Sequence, residues 1–165
     1  MTEDARNLPG EQLRRAMRHW VTGVSVVSSE YEGFRHGMTV NSFVSISLDP
    51  PLVTITLANS TRTCTLIQQS GKFGVTILSQ EQEHVADLFA GRLPDGGDRF
   101  AGLDTFSLSG SLPLIRGGLA SIECNVVQQY AMPTSTLFIG QVKQVWVGEG
   151  KPLIYFNRTY HRVGG

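Results

Sequence analysis

Apolar residues at Leu13, Ala16, Met17 and Trp20 repeat at i, i+3, i+4 and i+7, one stripe of an amphipathic helix that Thr22-Gly23 ends. The period then changes. Residues 24–29 and 34–40, parted by a turn at 30–33, read as strands. Val44, Ile46 and Leu48 alternate with Ser45, Ser47 and Asp49, the signature of a half-buried strand, and alternation resumes over 52–57 after Pro50-Pro51. The spacing predicts a short helix over 61–70 with Gly71 at its C′ position, then a strand over 72–78. Ser79-Gln80-Glu81-Gln82 has the S-x-x-Q form of a capping box and opens a helix with Val85, Leu88 and Phe89 inward, ending at Gly91. Residues 92–102, rich in Gly, Pro and Asp, read as a loop. Segments 119–129, 136–147 and 153–156 bring the count to about seven strands, with short helices only at connections. Eighteen glycines suit the bends of a closed antiparallel barrel.

Length and composition narrow the function classes. The 165 residues, 41% hydrophobic, are enough for one domain with a real core. Fourteen basic residues balance fourteen acidic ones, so the basic excess of a nucleic-acid module is lacking. Cys64 and Cys124 lie far apart and form no CxxC, which excludes a zinc ribbon or a disulfide framework. They read as small buried apolar residues in a reducing cytoplasm. The first residues are polar and no stretch approaches a membrane span, so a cytoplasmic protein without membrane contact is expected.

Two segments carry candidate chemistry. In 36–43, the polar residues Thr39, Asn41 and Ser42 crowd at a strand end beside Gly37. Such a surface can hydrogen-bond a flat heteroaromatic ring or a phosphate, or it can be the polar face of an edge strand. In Ala58-Asn59-Ser60-Thr61-Arg62-Thr63, hydroxyls and an arginine fall at a helix N-terminus. That is a good phosphate site, and equally ordinary N-capping by Ser60 or Thr61. Neither a Walker loop nor GxGxxG is present. His19, His36, His84 and His161 show no metal-ligand spacing, so no metal is expected, and His19 and His84 read as solvated. No nucleophile elbow or catalytic trio can be nominated. Arg99 can reach a phosphate or pair with Asp98 or Asp95.

Ordered landmarks run from Arg15 to His161: Thr22-Gly23-Val24, the 36–43 segment, Ser45-Ile46-Ser47-Leu48-Asp49-Pro50-Pro51, Ser79-Gln80-Glu81-Gln82, Phe89-Ala90-Gly91, Arg99-Phe100, Glu123-Cys124, Leu137-Phe138-Ile139-Gly140 and Pro152-Leu153-Ile154-Tyr155-Phe156. With these the chain resembles the short-chain flavin reductases with the FMN-binding split-barrel fold, the reductase components of two-component flavin-dependent monooxygenases. The resemblance implies a single domain over 1–165, with its structured core at about 11–162, and a mainly β fold with short helices. It further implies a six-stranded antiparallel Greek-key split barrel, a homodimer, and flavin (FMN or FAD) in a groove near the interface. NADH or NADPH is then the co-substrate and a monooxygenase the partner. In that family the segment matching Met38, Thr39, Val40, Asn41 and Ser42, with Ser45, holds the ring and ribityl chain. The segment matching Leu57, Ala58, Asn59, Ser60, Arg62 and Thr63 reaches the ribityl and phosphate, and Phe89 and Arg99 border the groove. The implied chemistry is hydride transfer to flavin, which requires no side-chain acid or base. One departure stands out: where the family commonly has Gly-Asp-His, this chain has Pro133-Thr134-Ser135, so Ser135 replaces a histidine at the nicotinamide side. His161 is the residue that can compensate. Two further readings stay open: a flavin-binding electron carrier that uses nicotinamide poorly, and a flavin-dependent reductase of a bulky acceptor such as a corrinoid or ferric complex.

Overall fold

The computed structural model describes residues 8–94 and 97–164. After helix α1 (Pro9–Ala16) and a 3-10 turn (Met17–His19) come β1 (Thr22–Gly23), β2 (Ser25–Tyr31), β3 (Phe34–Val40), β4 (Val44–Leu48) and β5 (Pro51–Ala58). Helix α2 (Arg62–Ser70), β6 (Lys72–Ile77), a 3-10 turn (Gln80–Gln82) and helix α3 (Glu83–Phe89) follow. The remainder is β7 (Thr105–Phe106), β8 (Leu114–Ile115), β9 (Ala120–Ala131), β10 (Ser135–Val147), β11 (Leu153–Phe156) and β12 (Thr159–Arg162). Local chemistry sets most boundaries. The Thr61 side chain accepts the Cys64 amide and starts α2, and Gly71 at φ 67° ends it. Ser79 and Gln82 make the reciprocal capping box before α3. Glu32 and Gly33, both at positive φ, form the tight turn between β2 and β3.

The main sheet is antiparallel with seven strands in the order β3-β2-β6-β9-β10-β5-β4. The mainly β, antiparallel architecture expected of the split barrel is present, but the sheet has seven strands where six were expected, and among the described residues no ladder joins β3 to β4. The sheet is nevertheless rolled. Laid flat, seven strands would place the two outer ones about 29 Å apart at about 4.8 Å per spacing. Residues 41–43 alone join those outer strands, and they can span only about 14 Å from Val40 to Val44. One apolar cluster accordingly draws Val27, Val40, Val53, Ile55, Phe73, Cys124 and Phe138 from six strands into a single interior, closed by Cys64 and Ile67 of α2. A second cluster lies outside the sheet, where α3 packs Val85, Ala86 and Phe89 against Val24, Val26, Phe100 and Leu153.

Three expectations from periodicity are corrected. The α1 stripe buries nothing: Leu13, Met17 and Trp20 are 62%, 52% and 65% exposed. Val44, Ile46 and Leu48 on edge strand β4 are also exposed, at 57%, 49% and 88%. In both places the amphipathic spacing is present, but the apolar face has no surface of this chain to cover it. Third, Thr22-Gly23 is not only a helix end. It pairs with Ile154 and Tyr155 of β11, which pairs in turn with β12 to make a separate three-stranded sheet.

Candidate active site

The open seam between β3 and the rest of the fold carries a groove in two connected parts. The larger, about 580 Å³, lies among His36, Met38 and Thr39 of β3, Thr61 and Arg62 at the start of α2, and Phe89, Ala90 and Arg99. The smaller, about 280 Å³, continues past Thr39 and Ala90 to Val40, Asn41, Arg92, Tyr155 and Tyr160. Phe89 lines the larger part, packed from behind by Gly37 and the Phe100 ring. Phe89 and Phe100 meet edge to face at 4.8 Å, and a Cβ on residue 37 would sit 2.9 Å from the Phe89 ring. Only glycine permits that approach.

Hydrogen bonds fix the walls. Thr39 Oγ1 donates to the Ala86 carbonyl at 2.6 Å, tying β3 to α3. Arg99 Nη1 donates to the carbonyls of Gly37 (3.2 Å) and Phe89 (2.9 Å), so its guanidinium staples the groove wall. His36 Nδ1 and the buried Thr63 Oγ1 lie 2.9 Å apart, joining β3 to α2. Arg35 donates to Asp98 at 2.7 Å, and that bond holds the Asp98 carboxyl below its ordinary range. At the far end, burial pushes the Tyr160 phenol up to about 12, so it stays a neutral donor, with Arg92 5.5 Å above its ring. Arg92 itself is held by Asp87 at 2.9 Å.

Arg62 differs from these. It is exposed at the first position of α2, and its guanidinium has no hydrogen bond or ion pair among the described residues. Beside it the Arg62 and Thr63 amides open α2 without intrahelical acceptors, whereas the Cys64 amide is capped by Thr61. A free cationic fork, orphan amides, a narrow polar middle and an apolar floor suit a phosphorylated, flat heteroaromatic ligand.

The candidate residues from sequence divide in two. Met38, Thr39, Val40, Asn41, Arg62, Phe89 and Arg99 come together in the groove. The others serve elsewhere. Ser42 Oγ donates to the Thr56 carbonyl and accepts the Thr56 amide, clasping the 41–43 connection to β5. Ser45 is exposed on β4. Leu57 is core, and Thr63 is buried behind His36. Asn59 accepts from Thr136 Oγ1 (2.7 Å) and donates to the Met132 carbonyl (2.9 Å), bracing the turn before β10. Ala58 and Ser60 are exposed beside the groove without lining it. Ser135 pairs with Ala58 at the start of β10, and His161 bonds Thr159 Oγ1 on β12; neither lines the groove. The bonds of Arg99 to the Gly37 and Phe89 carbonyls are neither of the roles open to it from sequence; Asp98 is taken by Arg35, and Asp95 lies outside the described residues. Sequence reasoning missed Arg92, Tyr155 and Tyr160. The Asn157-Arg158 turn signal, which makes 153–162 a hairpin, could have brought the two tyrosines into view.

A model of the flavin reductase like domain matches residues 17–164. The chain belongs to that family. Among the relatives of this flavin reductase domain, an NADH-dependent flavin reductase from Rhodococcus sp is 35% identical over 99% of the chain and 94% of its own length. The NADH-dependent flavin reductase StyB of Pseudomonas fluorescens is 38% identical over 90% and 87%. Solved flavin reductases have the same fold: PheA2 superposes with TM-score 0.85 at 36% identity, each chain fully covered. The styrene monooxygenase flavin reductase of Pseudomonas putida S12 gives 0.82 at 37% identity, covering 92% of this chain and 97% of that one. Its strand-rich core is therefore a flavin reductase fold.

Proposed function

We propose that the chain is an NAD(P)H:flavin oxidoreductase that takes hydride from NADH or NADPH, delivers it to FMN or FAD, and supplies reduced flavin to a partner monooxygenase. The continuous groove from the free Arg62 guanidinium to Asn41 and Tyr155 carries this reading. Its residues fit the group: Arg62 and the α2 amides meet a phosphate, Thr39 and Asn41 flank a ribityl chain and ring edge, and the Phe89 wall takes an apolar face. A flavin held by these residues would supply the redox chemistry, the capacity to take up hydride. The protein's part is positioning. Arg99, by stapling the Gly37 and Phe89 carbonyls, keeps the wall rigid, and Thr39 holds its strand to α3. Tyr155 and Tyr160 narrow the ring end and limit water there.

The exposed apolar faces of α1 and β4 support a homodimer, since a second copy would cover Leu13, Met17, Trp20, Val44, Ile46 and Leu48. No described helix is long and apolar enough to cross a membrane, and the free, buried cysteines suit a reducing cytoplasm. Loss of NADH absorbance with purified protein, with and without FMN or FAD, tests the reading. Flavin-dependent turnover supports it, and bound flavin without turnover refutes it. The electron-carrier alternative draws on Ser135, the residue at which the family resemblance leads one to expect a histidine. Bound flavin with negligible NADH use that a Ser135→His change restores would favour it.

A further inference from the structure

Helix α3 ends so that two opposite charges come to lie beside the ring end of the groove. Past the Ala90 cap, Gly91 turns at φ 72° and its amide donates to the Leu88 carbonyl at 3.1 Å. The Arg92 amide donates to the Asp87 carbonyl at 3.0 Å, and this double closure sets residue 92 against residue 87. Their side chains meet as well, Arg92 Nη1 donating to Asp87 Oδ1 at 2.9 Å. The Tyr160 ring of β12 holds the guanidinium from another side, 5.5 Å from the ring centroid. An arginine that is half exposed is thus fixed in place by two elements.

The pair is oriented. Arg92 lines the smaller part of the groove and Asp87 does not. Among the described residues the other side chains there, such as Thr39, Asn41 and Tyr155, carry no charge. Burial pushes the Tyr160 phenol up to about 12 against the pull of Arg92, and the Asp87 carboxylate adds to the rise, so the phenol keeps its proton. A ligand at this end therefore meets the positive pole of an ion pair whose negative pole lies one side chain behind.

We propose that the Asp87–Arg92 pair sets how tightly the groove holds reduced flavin relative to oxidised flavin. This rests on the reductase reading above. The oxidised ring is neutral, whereas the reduced ring is an anion once its N1 proton is lost, and charge placed beside it tells the two apart. Arg92 attracts the anion and is indifferent to the neutral ring. Asp87 is a positioning residue that acts through Arg92: it holds the guanidinium in place and weakens its field. The balance suits a protein that has to stabilise reduced flavin enough to form it and then give it up. A pair that only tied α3 to its own turn would not respond to the redox state of a ligand.

Arg92→Gln, Arg92→Lys and Asp87→Asn are made in the full chain. FMN is titrated into each protein in its oxidised form and, anaerobically, in its dithionite-reduced form. Arg92→Gln should weaken reduced FMN about fivefold relative to oxidised FMN, the effect of one partly solvated charge. The midpoint potential of the bound flavin should fall by about 20 mV to match, since tenfold is about 30 mV for two electrons. Asp87→Asn, which keeps an acceptor for Arg92 and removes the opposing charge, should shift the ratio and the potential the other way, by about twofold. Arg92→Lys should lie near the parent, and added salt should shrink every difference. Melting temperature should fall slightly in both Arg92→Gln and Asp87→Asn, because each breaks the same ion pair, so opposed redox shifts cannot come from lost structure. Shifts of the same sign in these two variants, or an unchanged ratio in either, overturn the inference, as does a parent that binds FMN in neither form. If the parent binds both forms yet oxidises neither NADH nor NADPH, the reductase reading fails, and the two affinities still decide the role of the pair.

Discussion

Replacing Arg62 by alanine takes away the one groove cation that, among the described residues, is not already committed to a partner. Arg35, Arg92 and Arg99 are all committed, to Asp98, to Asp87 and to two carbonyls. Arg62 is exposed, so its loss leaves no buried group unsatisfied and folding stability should barely move. A charge-assisted hydrogen bond to phosphate is worth about 1.5–3 kcal/mol, and exposure at the mouth argues for the lower end. The first-turn amides of α2 remain and keep their own contribution of about 0.3–1 kcal/mol. The flavin dissociation constant should therefore rise about tenfold, read as quenching of flavin fluorescence on titration. Arg62→Lys, which keeps charge but loses the planar fork, should fall between parent and alanine. The gap should shrink as salt is raised. A change below about twofold at low salt would refute the phosphate role, because no other groove residue could then have supplied the missing cation.

Gly37→Ala forces a methyl to within 2.9–3.0 Å of the Phe89 and Phe100 rings, both fully buried. Overpacking of about 1–3 kcal/mol should show as a lower urea midpoint together with weaker flavin binding. An unchanged midpoint would mean the floor is softer than its packing implies. Burial pushes Cys124 up to about 12 and also raises Cys64, so both thiols should resist Ellman's reagent in the native protein and react on unfolding. Arg35 lowers the Asp98 pKa, so the pair stabilises the fold above the unfolded value near 3.8 and that stability is lost as pH falls through the lowered folded value. Parent and Asp98→Asn should accordingly differ near neutrality and converge in acid; a gap that widens in acid would reverse the argument. Both partners are part exposed, so the difference will be small.

Local signals carried far in this chain. Thr61 and Gly71 bound α2, and Ser79 with Gln82 opens α3, because caps satisfy backbone groups within a few residues. The 38–41 and 61–62 ligand-like segments were legible because polar residues crowded where apolar ones belong. Partners across space were not. Ser42 and Asn59 are the same residue types as Thr39 and Asn41, yet their side chains are bound to Thr56 and to Thr136 and Met132. Nothing local distinguishes a hydroxyl aimed at a ligand from one aimed at a neighbouring strand. The apolar periods of α1 and β4 misled for a related reason: periodicity says that a face is to be covered, without saying by which chain. The strands β1, β7 and β8 escaped because two residues cannot display a period.

The seam beside β3 makes that strand an isotopic reporter. Its ladder to β2 engages only alternate amides, and the rest point away from the sheet, where no strand follows. In the free protein deuterium should enter every second amide of Phe34–Val40 quickly, while the intervening ones wait for the whole sheet to open. A ligand along the groove borders that same line of outward amides. Its arrival should convert a two-speed pattern into a uniformly slow one, so exchange at a single strand distinguishes a filled site from an empty one without following the reaction.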